Sequence, residues 1–390
     1  MRDIIFLAHR LPWPPDRGDK IRSWNLLRHL TGLARVHLFA FADDAVDMAS
    51  ADGLRDQVAS LHVEIRRHSR ALGVLSALVS GRPASVVLFD SSSMRRAVAQ
   101  KLAEGNIGTV FAFSGQMAQF VPQGCKARFV MDFVDVDSEK FSAYAERGPL
   151  PLRWLYGREA RLLSAFERAV AMRADHSLFV SEDEAALFRQ MSGLGQDKVI
   201  AIENGIDLDY LQPKPRTKDR RLIVFTGQMD YPPNVEAVTS FATQVFPEVR
   251  QACPDARFAI VGRNPTATVQ ALAHLPGVEV TGAVPDIRPW LVDASLVVAP
   301  LAIARGIQNK VLEAMAMARA VVTSPAAAQG IDAEDRREIV VAPPGAMASA
   351  VLALLDDPAA ADQIGKAARA RMETRYRWEE RLRPLEGLLA

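Results

Sequence analysis

The chain has 390 residues, of which 49% are hydrophobic and 24% charged, a balance typical of a globular protein with enough apolar material for two or three domains. Its 47 lysines and arginines nearly cancel its 46 acidic residues, and a formal net charge of +1 gives no bulk electrostatic reason to expect a nucleic-acid partner. The two cysteines, Cys125 and Cys253, are too few for a disulfide framework or a cysteine-based zinc site, so a reducing compartment is indicated.

The chain begins with a short apolar run, which lacks a signal-peptide pattern and is predicted to be a first β-strand. The longest apolar windows, Ala71–Ser80 and Ser295–Ala304, are about half as long as a membrane-spanning helix. We therefore expect a cytoplasmic protein. The alternative is peripheral docking at the inner face of the cell membrane.

Short runs rich in valine, isoleucine and phenylalanine alternate with segments of helical period, the pattern of parallel α/β domains. In the first half, strands are predicted at Asp3–His9, Arg35–Ala42, Leu61–Arg66, Thr109–Phe113, Ala127–Phe133, His176–Ser181 and Val199–Glu203, and helices at Gly18–Leu30, Ser92–Leu102 and Leu152–Arg173. In the second half, strands are predicted at Arg221–Thr226, Arg257–Val261, Val278–Thr281, Ser295–Ala299, Ala320–Thr323 and Ile339–Val341, and helices at Pro233–Ala252, Ile287–Val292, Ile307–Met317 and Met347–Leu355.

Residues 207–219 carry two prolines and several charges without a hydrophobic period, and are predicted to be a linker. We expect an N-terminal Rossmann-like domain of residues 1–206, completed by a final helix within 371–390 that crosses back to it, and a C-terminal Rossmann-like domain of residues 220–370. Open α/β sheets bind ligands outside the carboxyl ends of their strands, so the two domains are predicted to face each other across a binding cleft.

The segment Pro300–Arg319 carries the most informative pattern. A buried strand ends, a loop contains Gly306, and a helix begins near Ile307, so free backbone N–H groups would bind an anion and the glycine would let it approach. Lys310 lies in the first turn, where a cation is unfavourable unless a diphosphate is bound. Glu313 lies one turn along the same face, where a carboxylate could accept hydrogen bonds from both ribose hydroxyls. The alternative is an ordinary amphipathic helix with solvated charges.

Two further strand-to-helix junctions resemble anion sites. In Val224–Glu236, Gly227 permits a tight turn before a helix, although a plain junction would look the same. In Pro12–Arg22, Gly18 and the cations Arg17, Lys20 and Arg22 open a helix after a proline-rich loop. Here the alternative is that the cations are solvated and that Trp13, instead of being exposed on the loop, belongs to the core.

Weaker signals leave more alternatives open. Asp132, Asp135 and Asp137 alternate at a strand end, where a solvated face with a helix cap is favoured over a metal site. His9 ends the first strand and belongs either to the core or to the cleft. The arginine-rich helix Leu152–Arg173 contains Trp154 and either lies on an anionic membrane surface or packs like any other helix.

No G-x-G-x-x-G after a strand, Walker loop, H-E-x-x-H or G-x-S-x-G motif is present, so dehydrogenase, NTPase, metalloprotease and serine-hydrolase interpretations lose their usual support. Instead the chain resembles the family 4 glycosyltransferases, retaining enzymes of the GT-B fold. The residues that carry the resemblance are Val180–Glu184, Glu203–Asp207, Phe225–Gly227, Gly282–Asp286, Val297–Leu301, Lys310–Ala316 and Ala320–Val322. The runs Leu11–Asn25 and Arg305–Ala318 are most similar to sugar transferases associated with PEP-CTERM/exosortase exopolysaccharide systems.

This resemblance implies roles for individual residues. Glu313 matches the glutamate that holds the donor ribose, and Val284 and Asp286 match the loop that cradles the base. Gly18 matches the N-terminal glycine loop beside the diphosphate. Together with the strand-to-helix junctions described above, these roles predict a donor site of Gly18, Gly227, Val284, Asp286, Gly306, Ile307, Gln308, Asn309 and Glu313, and we expect His9, Arg17, Lys20 and Asp132 on the acceptor side.

The sequence departs from the family pattern at Arg305, which stands where the sugar-contacting glutamate is expected, eight positions before Glu313. The Arg/Lys pair expected after the Gly227 strand is also missing. We infer that Arg305 and Lys310 are the catalytic cations, which neutralise the diphosphate without a metal or other cofactor.

The sequence therefore predicts a metal-independent retaining glycosyltransferase, with a nucleotide-diphosphate sugar as donor and a glycan or polyprenyl-linked glycan of polysaccharide biosynthesis as acceptor. Two other functions stay open: a GT-B nucleotide-sugar epimerase or hydrolase, and a non-catalytic GT-B scaffold.

Overall fold

A computed structural model describes residues 2–15, 17–66, 77–147, 150–216, 221–302, 304 and 307–389. The chain divides into two compact units. The first unit consists of Met1–Asn204 with Arg381–Ala390, and the second of Gly205–Glu380. In this division the linker residues 207–219 and residues 371–380 belong to the second unit, whereas the sequence prediction kept 207–219 apart and placed 371–380 in the first domain.

The first unit is built on a seven-stranded parallel sheet with the order β3-β2-β1-β4-β5-β6-β7. Its strands are β1 Asp3–Ala8, β2 Val36–Ala42, β3 Ser60–Ile65, β4 Ile107–Phe113, β5 Arg128–Val134, β6 His176–Phe179 and β7 Val199–Ala201. Its helices are α1 Gly18–Leu33, α2 Ala45–Ala49, α3 Ala84–Val87, α4 Ser92–Ala103, α5 Asp137–Arg147, α6 Leu150–Arg173 and α7 Glu182–Ser192, with 3-10 segments at Ser50–Gln57 and Gly115–Phe120.

The second unit is built on a six-stranded parallel sheet with the order β10-β9-β8-β11-β12-β13. Its strands are β8 Leu222–Thr226, β9 Arg257–Val261, β10 Val278–Gly282, β11 Leu296–Ala299, β12 Val321–Thr323 and β13 Val340–Val341. Its helices are α8 Pro232–Ser240, α9 Phe246–Ala252, α10 Ala267–Ala271, α11 Arg288–Asp293, α12 Asn309–Ala316, α13 Pro325–Ala328, α14 Met347–Asp356 and α15 Pro358–Arg375. Two short helices, α16 Trp378–Leu382 and α17 Leu385–Leu389, end the chain.

The central strands of both sheets are buried along their whole length. Every residue of β1, β2, β8 and β11 is buried, which is why these strands read as continuous apolar runs without alternation. Parallel sheets show this pattern because helices cover both of their faces. Each unit has its own core of aliphatic and phenylalanine side chains packed around its sheet.

Each sheet has one point at which the strand order reverses, and ligands of open α/β sheets bind outside the carboxyl ends of the strands there. In the first sheet this point lies between β1 and β4, and in the second between β8 and β11. The loop that follows β1 leads to Gly18 at the start of α1, the loop that follows β8 contains Gly227, and the loop that follows β11 leads to Lys310. The topology therefore places the predicted anion-binding junctions at the switch points of their own sheets.

All thirteen predicted strands are present, with both ends of each strand within two residues of the prediction. The predicted helix Pro233–Ala252 is interrupted by a π-helical segment, Phe241–Val245. Helix α15 was not predicted, and the predicted final helix is broken at Tyr376, which is fully buried and accepts a hydrogen bond from the Asp332 backbone N–H at 2.7 Å.

Candidate functional site

In the second unit, the ends of β8 and β11 bring Gly227, Asn234 and Lys310 together. The lysine Nζ donates to Asn234 Oδ1 at 3.0 Å and lies 3.4 Å from Gln308 Oε1. Asn234 in turn donates to the Gln228 carbonyl at 2.9 Å, which fixes the amide. A Cβ on Gly227 would lie 2.8 Å from Asn234 Nδ2 and 3.4 Å from Lys310 Cε, so glycine is what allows this approach.

Lys310 carries a positive charge that the second unit does not neutralise by an ion pair. Both of its hydrogen-bond acceptors are neutral amide oxygens, and across the described ranges it forms no salt bridge. The ammonium also lies 5.4 Å from the centroid of the Phe225 ring, a cation–π distance. Burial lowers the pKa of Lys310 to about 8, because taking an ammonium out of water disfavours its charged form. An anion beside it would restore that pKa.

Glu313 lies one helical turn after Lys310 on α12 and is half-buried. Burial raises the pKa of Glu313 to about 7, and the neighbouring Lys310 charge offsets part of this effect. Within the part of the chain that the structure describes, its carboxylate forms neither a hydrogen bond nor a salt bridge. A desolvated carboxylate in this condition favours a partner that donates hydrogen bonds.

The predicted base-cradling residues lie in the turn between β10 and α11. Val284 is half-buried against the core of the second unit. Asp286 accepts hydrogen bonds from Arg288 through the backbone N–H at 2.9 Å and through Nε at 2.9 and 3.0 Å. These bonds hold the pKa of Asp286 below its usual range. The Arg288 guanidinium stacks 4.0 Å from the centroid of the Tyr210 ring, so Asp286 belongs to an ordered polar cluster.

Arg305 and Gly306 lie outside the described residues. Helix α12 begins at Asn309, two residues later than predicted. Gln308 is its N-cap residue and makes no side-chain cap hydrogen bond, and Ile307 is half-buried against the core of the second unit.

In the first unit, His9 directly follows β1 and is buried against Phe113, with ring centroids 5.6 Å apart and planes at 30°. Its Nε2 lies 3.2 Å from Asp19 Oδ2, and its Nδ1 is buried without a hydrogen-bond partner. Burial lowers the pKa of His9, because taking the imidazolium out of water disfavours the charged form. Burial raises the pKa of Asp19, but hydrogen bonds from His9 and Arg10 outweigh this and leave it below its usual range.

Arg17 is the one predicted cation of the β1–α1 junction that keeps substantial exposure, with 37% of its side chain accessible. Its Nη2 donates to Asp43 Oδ2 at 3.0 Å, and Arg10 Nε donates to the same oxygen at 3.0 Å. Gly18 is the exposed first residue of α1, and a Cβ there would meet nothing within 4 Å.

For the other two cations of this junction the solvated alternative is wrong, because both are buried in ion pairs. Lys20 is buried, and its Nζ donates to Asp47 Oδ1 at 2.7 Å. Arg22 is 1% exposed, and it donates to Asp132 at 3.0 Å and to Asn204 Oδ1 at 2.8 Å. These cations were misjudged because their partners are distant in the sequence.

Asp132 was placed on a solvated strand face or on the acceptor side, and the first placement is wrong because the residue is completely buried. Its carboxylate lies 2.9 Å from Arg22 Nη2 and also accepts the Val134 backbone N–H at 3.0 Å. Among the described residues no group of three or more histidine, cysteine, aspartate or glutamate side chains could hold a metal ion.

The segment Glu203–Asp207 connects the two units, and each half is fixed in its own unit. In the first unit, Glu203 pairs with Arg381 at 2.7 Å and Asn204 receives the bond from Arg22. In the second, a Cβ on Gly205 would come 2.5 Å from the Trp378 Cα, so glycine is required there by space.

Three residues that contact the predicted site residues were not predicted from the sequence. Asn234 orients Lys310, Phe225 lies against the ammonium, and Arg10 engages both Asp19 and Asp43. Asn234 could have been found from its position at the start of the helix that follows the switch-point strand. Phe225 and Arg10 looked like strand and loop residues, and no spacing in the sequence marks their partners.

Two family models match consecutive parts of the chain. Residues 17–205 match the glycosyl transferase 4-like domain, and residues 220–357 match the glycosyl transferases group 1. Among curated proteins none matches the sequence.

Several solved structures are similar along the whole chain. Sucrose-phosphate synthase from Thermosynechococcus elongatus has a TM-score of 0.69 at 18% identity, covering 100% of this chain and 98% of that one. Anabaena HepE in complex with UDP-glucose has a TM-score of 0.67 at 15% identity, covering 100% and 99%. A variant of S. aureus TarM in complex with fondaparinux, α-GlcNAc-glycerol and UDP has a TM-score of 0.68 at 10% identity, covering 100% of both chains. At these identities the likeness shows a shared fold.

Proposed function

Because the chain is a glycosyltransferase of the GT-B fold, we propose that it transfers a sugar, with retention of configuration, from a nucleotide-diphosphate sugar to a glycan or a polyprenyl-linked glycan. The acceptor belongs to polysaccharide biosynthesis of the exopolysaccharide type. The donor is held in the second unit, and no metal takes part.

The observation that carries this proposal is the pair formed by Lys310 and Glu313. A half-buried ammonium with neutral hydrogen-bond partners and a half-buried carboxylate without partners among the described residues lie one turn apart at the switch point of a parallel sheet. A nucleoside diphosphate offers the complementary groups, since its phosphates are anionic and its ribose hydroxyls are hydrogen-bond donors. We assign the diphosphate to Lys310 and the ribose to Glu313.

Catalysis is assigned to Lys310 together with Arg305. Negative charge grows on the leaving diphosphate as the glycosidic bond breaks, so a fixed cation stabilises the transition state more than the ground state. The neutral amides of Asn234 and Gln308 orient the ammonium without cancelling its charge. The loop with Val284 and Asp286 would meet the base, and the backbone at Gly306, Ile307, Gln308 and Asn309 would meet the phosphates and the sugar.

The donor assignment is tested by a thermal-shift screen with UDP-, GDP-, ADP- and TDP-sugars, followed by isothermal titration of the best ligand. UDP-sugars come first, because the similar structures of HepE and TarM contain UDP or UDP-glucose. One of these donors should raise the melting temperature of the parent protein and not that of Glu313→Ala. Equal binding by parent and variant would refute the ribose assignment.

Metal independence is tested with EDTA. Sugar transfer to the acceptor, or hydrolysis of the donor in its absence, should persist in the presence of the chelator, since cations and helix N-termini carry the phosphate charge. Loss of both activities on chelation, with recovery on adding Mg²⁺ or Mn²⁺, would show that a metal is needed.

Contact with a membrane surface is assigned to the α5–α6 hairpin of the first unit. No helix in the described ranges is long and apolar enough to span a bilayer. Large hydrophobic side chains are nevertheless exposed around the start of α6, with Leu150 80% and Trp154 68% accessible, and Arg153 is exposed between them. Such a surface fits an anionic lipid interface. Flotation with phosphatidylglycerol vesicles should be reduced by Leu150→Ser with Trp154→Ser, and unchanged binding would remove the hairpin from this role.

A further inference from the structure

The loop between β1 and α1 exposes an indole that has partners on two sides. Trp13 is 38% exposed. Its ring lies against the ring of Trp24 on α1, with centroids 4.9 Å apart and planes at 53°. Gly53, in the 3-10 segment Ser50–Gln57, approaches the edge of the indole so closely that a Cβ there would lie 3.2 Å from Nε1. The ring is therefore positioned by its neighbours although much of it faces water.

An apolar strip continues from this ring along α1. Ile21 precedes Trp24 by one helical turn on the same face of the helix, and it is also 38% exposed. Trp13, Ile21 and Trp24 together form what we call the tryptophan platform. Burying an indole stabilises a fold, so leaving one partly in water forgoes stability unless a ligand covers it.

Charged groups adjoin the platform. Asp52 and Arg55 flank Gly53 in the same 3-10 segment and form an ion pair with Nε–Oδ1 at 2.9 Å, with side chains 81% and 67% exposed. Arg17, at the other end of the loop, is paired at 3.0 Å with Asp43, which directly follows β2. Carboxylate and guanidinium groups are the side chains best suited to bind vicinal hydroxyls in a bidentate manner.

We propose that the tryptophan platform binds a pyranose ring of the acceptor glycan, with the C–H face of the sugar on Trp13 and its hydroxyls toward Asp52 and Arg55. A sugar ring is apolar on its faces and polar around its rim, which matches a narrow aromatic strip bordered by charges. A lipid chain would favour a broad apolar surface without charges beside it. That the bound pyranose belongs to an acceptor rests on the transferase function proposed above. That the platform binds a pyranose does not depend on that function.

The binding is tested by ¹⁹F NMR of the full chain labelled with 5-fluorotryptophan. The five tryptophans are assigned by single substitutions, and the protein is titrated with methyl β-glucoside, methyl β-galactoside and methyl N-acetyl-β-glucosaminide. At least one glycoside should shift the Trp13 and Trp24 signals in a saturable manner. The signal of Trp154, which is exposed on α6, is the internal control, and mannitol controls for hydroxyls without a ring. A Trp13 signal that no glycoside moves, or that mannitol moves equally, overturns the proposal.

Variants of the platform show whether a loss of glycoside binding comes from lost stacking on Trp13 or from a fold that is disturbed. Trp13→Ala should weaken glycoside binding roughly five- to thirtyfold, the factor expected when one face of an indole is lost, and Trp13→Tyr should retain most of it. Gly53→Ala keeps the indole but displaces it, and should give an intermediate loss. Donor binding, followed by the thermal shift with UDP-glucose or the best nucleotide sugar, should be unchanged in all three. Equal glycoside binding by Trp13→Ala and the parent refutes the platform. Glycoside binding in a protein that neither binds a nucleotide sugar nor transfers sugar refutes the proposed function and leaves the platform standing.

Discussion

The starts of α1 and α12 follow the same sequence pattern and have different electrostatic environments. Both helices begin after a loop at the switch point of a parallel sheet, and both carry a lysine in the first turn. In the first unit, Lys20 is buried in a salt bridge with Asp47. In the second, Lys310 meets amide oxygens, and the described residues supply no carboxylate that pairs with it.

The difference lies in what the rest of each unit brings to the helix start. Lys20 finds its carboxylate 27 residues away, and Arg22 finds Asp132 at a separation of 110 residues. A cation that is already paired holds the fold together, whereas a desolvated cation with neutral partners is available to an external anion. We therefore expect the cations of α1 to affect mainly stability and the cation of α12 to affect mainly activity.

The largest effect is expected from breaking the Arg22–Asp132 pair. Asp132→Ala leaves the guanidinium of Arg22 buried without its carboxylate, which costs about 3–5 kcal/mol of unfolding free energy. Urea unfolding followed by circular dichroism measures it, with Lys310→Met as the matched control that should lose less than about 1 kcal/mol. Similar losses of unfolding free energy in both variants would contradict the view that the cations of α1 stabilise the fold more than Lys310 does.

Substitutions at the start of α12 should reduce turnover, whereas they should affect stability less than substitutions at the start of α1 do. Lys310→Ala and Arg305→Ala should each reduce kcat by roughly 10- to 150-fold, equivalent to the loss of one charge-assisted hydrogen bond at about 1.5–3 kcal/mol. The effect on donor affinity should be smaller, because charge on the leaving diphosphate grows toward the transition state.

Arg305→Glu is the sharper variant, because it introduces the glutamate of the family pattern. It should reduce activity further by placing a carboxylate beside the phosphates. Steady-state kinetics of the three variants decide the matter, and turnover near that of the parent in Arg305→Glu would exclude Arg305 from phosphate stabilisation.

The pH profile is expected to report the Lys310–Glu313 pair. Under the proposed donor assignment, ribose binding needs an ionised Glu313, so its pKa of about 7 predicts that kcat/KM for the donor falls below that pH. Phosphate binding needs a protonated Lys310, whose pKa of about 8 means that kcat/KM falls above it. Glu313→Gln should lower donor affinity roughly tenfold and abolish the acidic limb while keeping the alkaline limb. An unchanged acidic limb would assign it to another group.

A smaller effect, on stability, is expected at Glu167 of α6, a buried acid whose pKa is raised like that of Glu313. Burial raises the pKa of Glu167 to about 7 as well, but its carboxylate accepts the Ser138 backbone N–H at 3.1 Å and the Ser138 hydroxyl at 2.6 Å. Because the folded-state pKa lies above the unfolded one, the folded state binds more protons between these values, and stability falls as pH rises through this range. Glu167→Gln can keep both contacts, because its amide oxygen can accept the Ser138 N–H and its amide nitrogen can donate to the Ser138 hydroxyl. The variant should gain about 1–2 kcal/mol of unfolding free energy relative to the parent between pH 5 and pH 8. Denaturation at both pH values checks this, and a pH-independent difference would contradict it.

Local patterns were sufficient for most of the fold. The central strands are predictable because strands buried on both faces are apolar along their length. The exceptions have physical reasons. The π-helical segment Phe241–Val245 does not alter the hydrophobic period of its helix enough to be seen, and α15 is rich in alanine and charged residues without a clear apolar face.

The sequence by itself determined two α/β domains and a helix start at which Lys310 and Glu313 share a face, because helical spacing fixes both from residues close in the chain. Only the tertiary structure decided that Lys20, Arg22 and Asp132 are buried in pairs, that Asn234 orients Lys310, and that Trp13 lies exposed against Trp24. The polar pairs join segments that are distant in the sequence and that strand pairing brings together at the switch point of each sheet. The contact of Trp13 with Trp24 depends on how the β1–α1 loop folds back on α1.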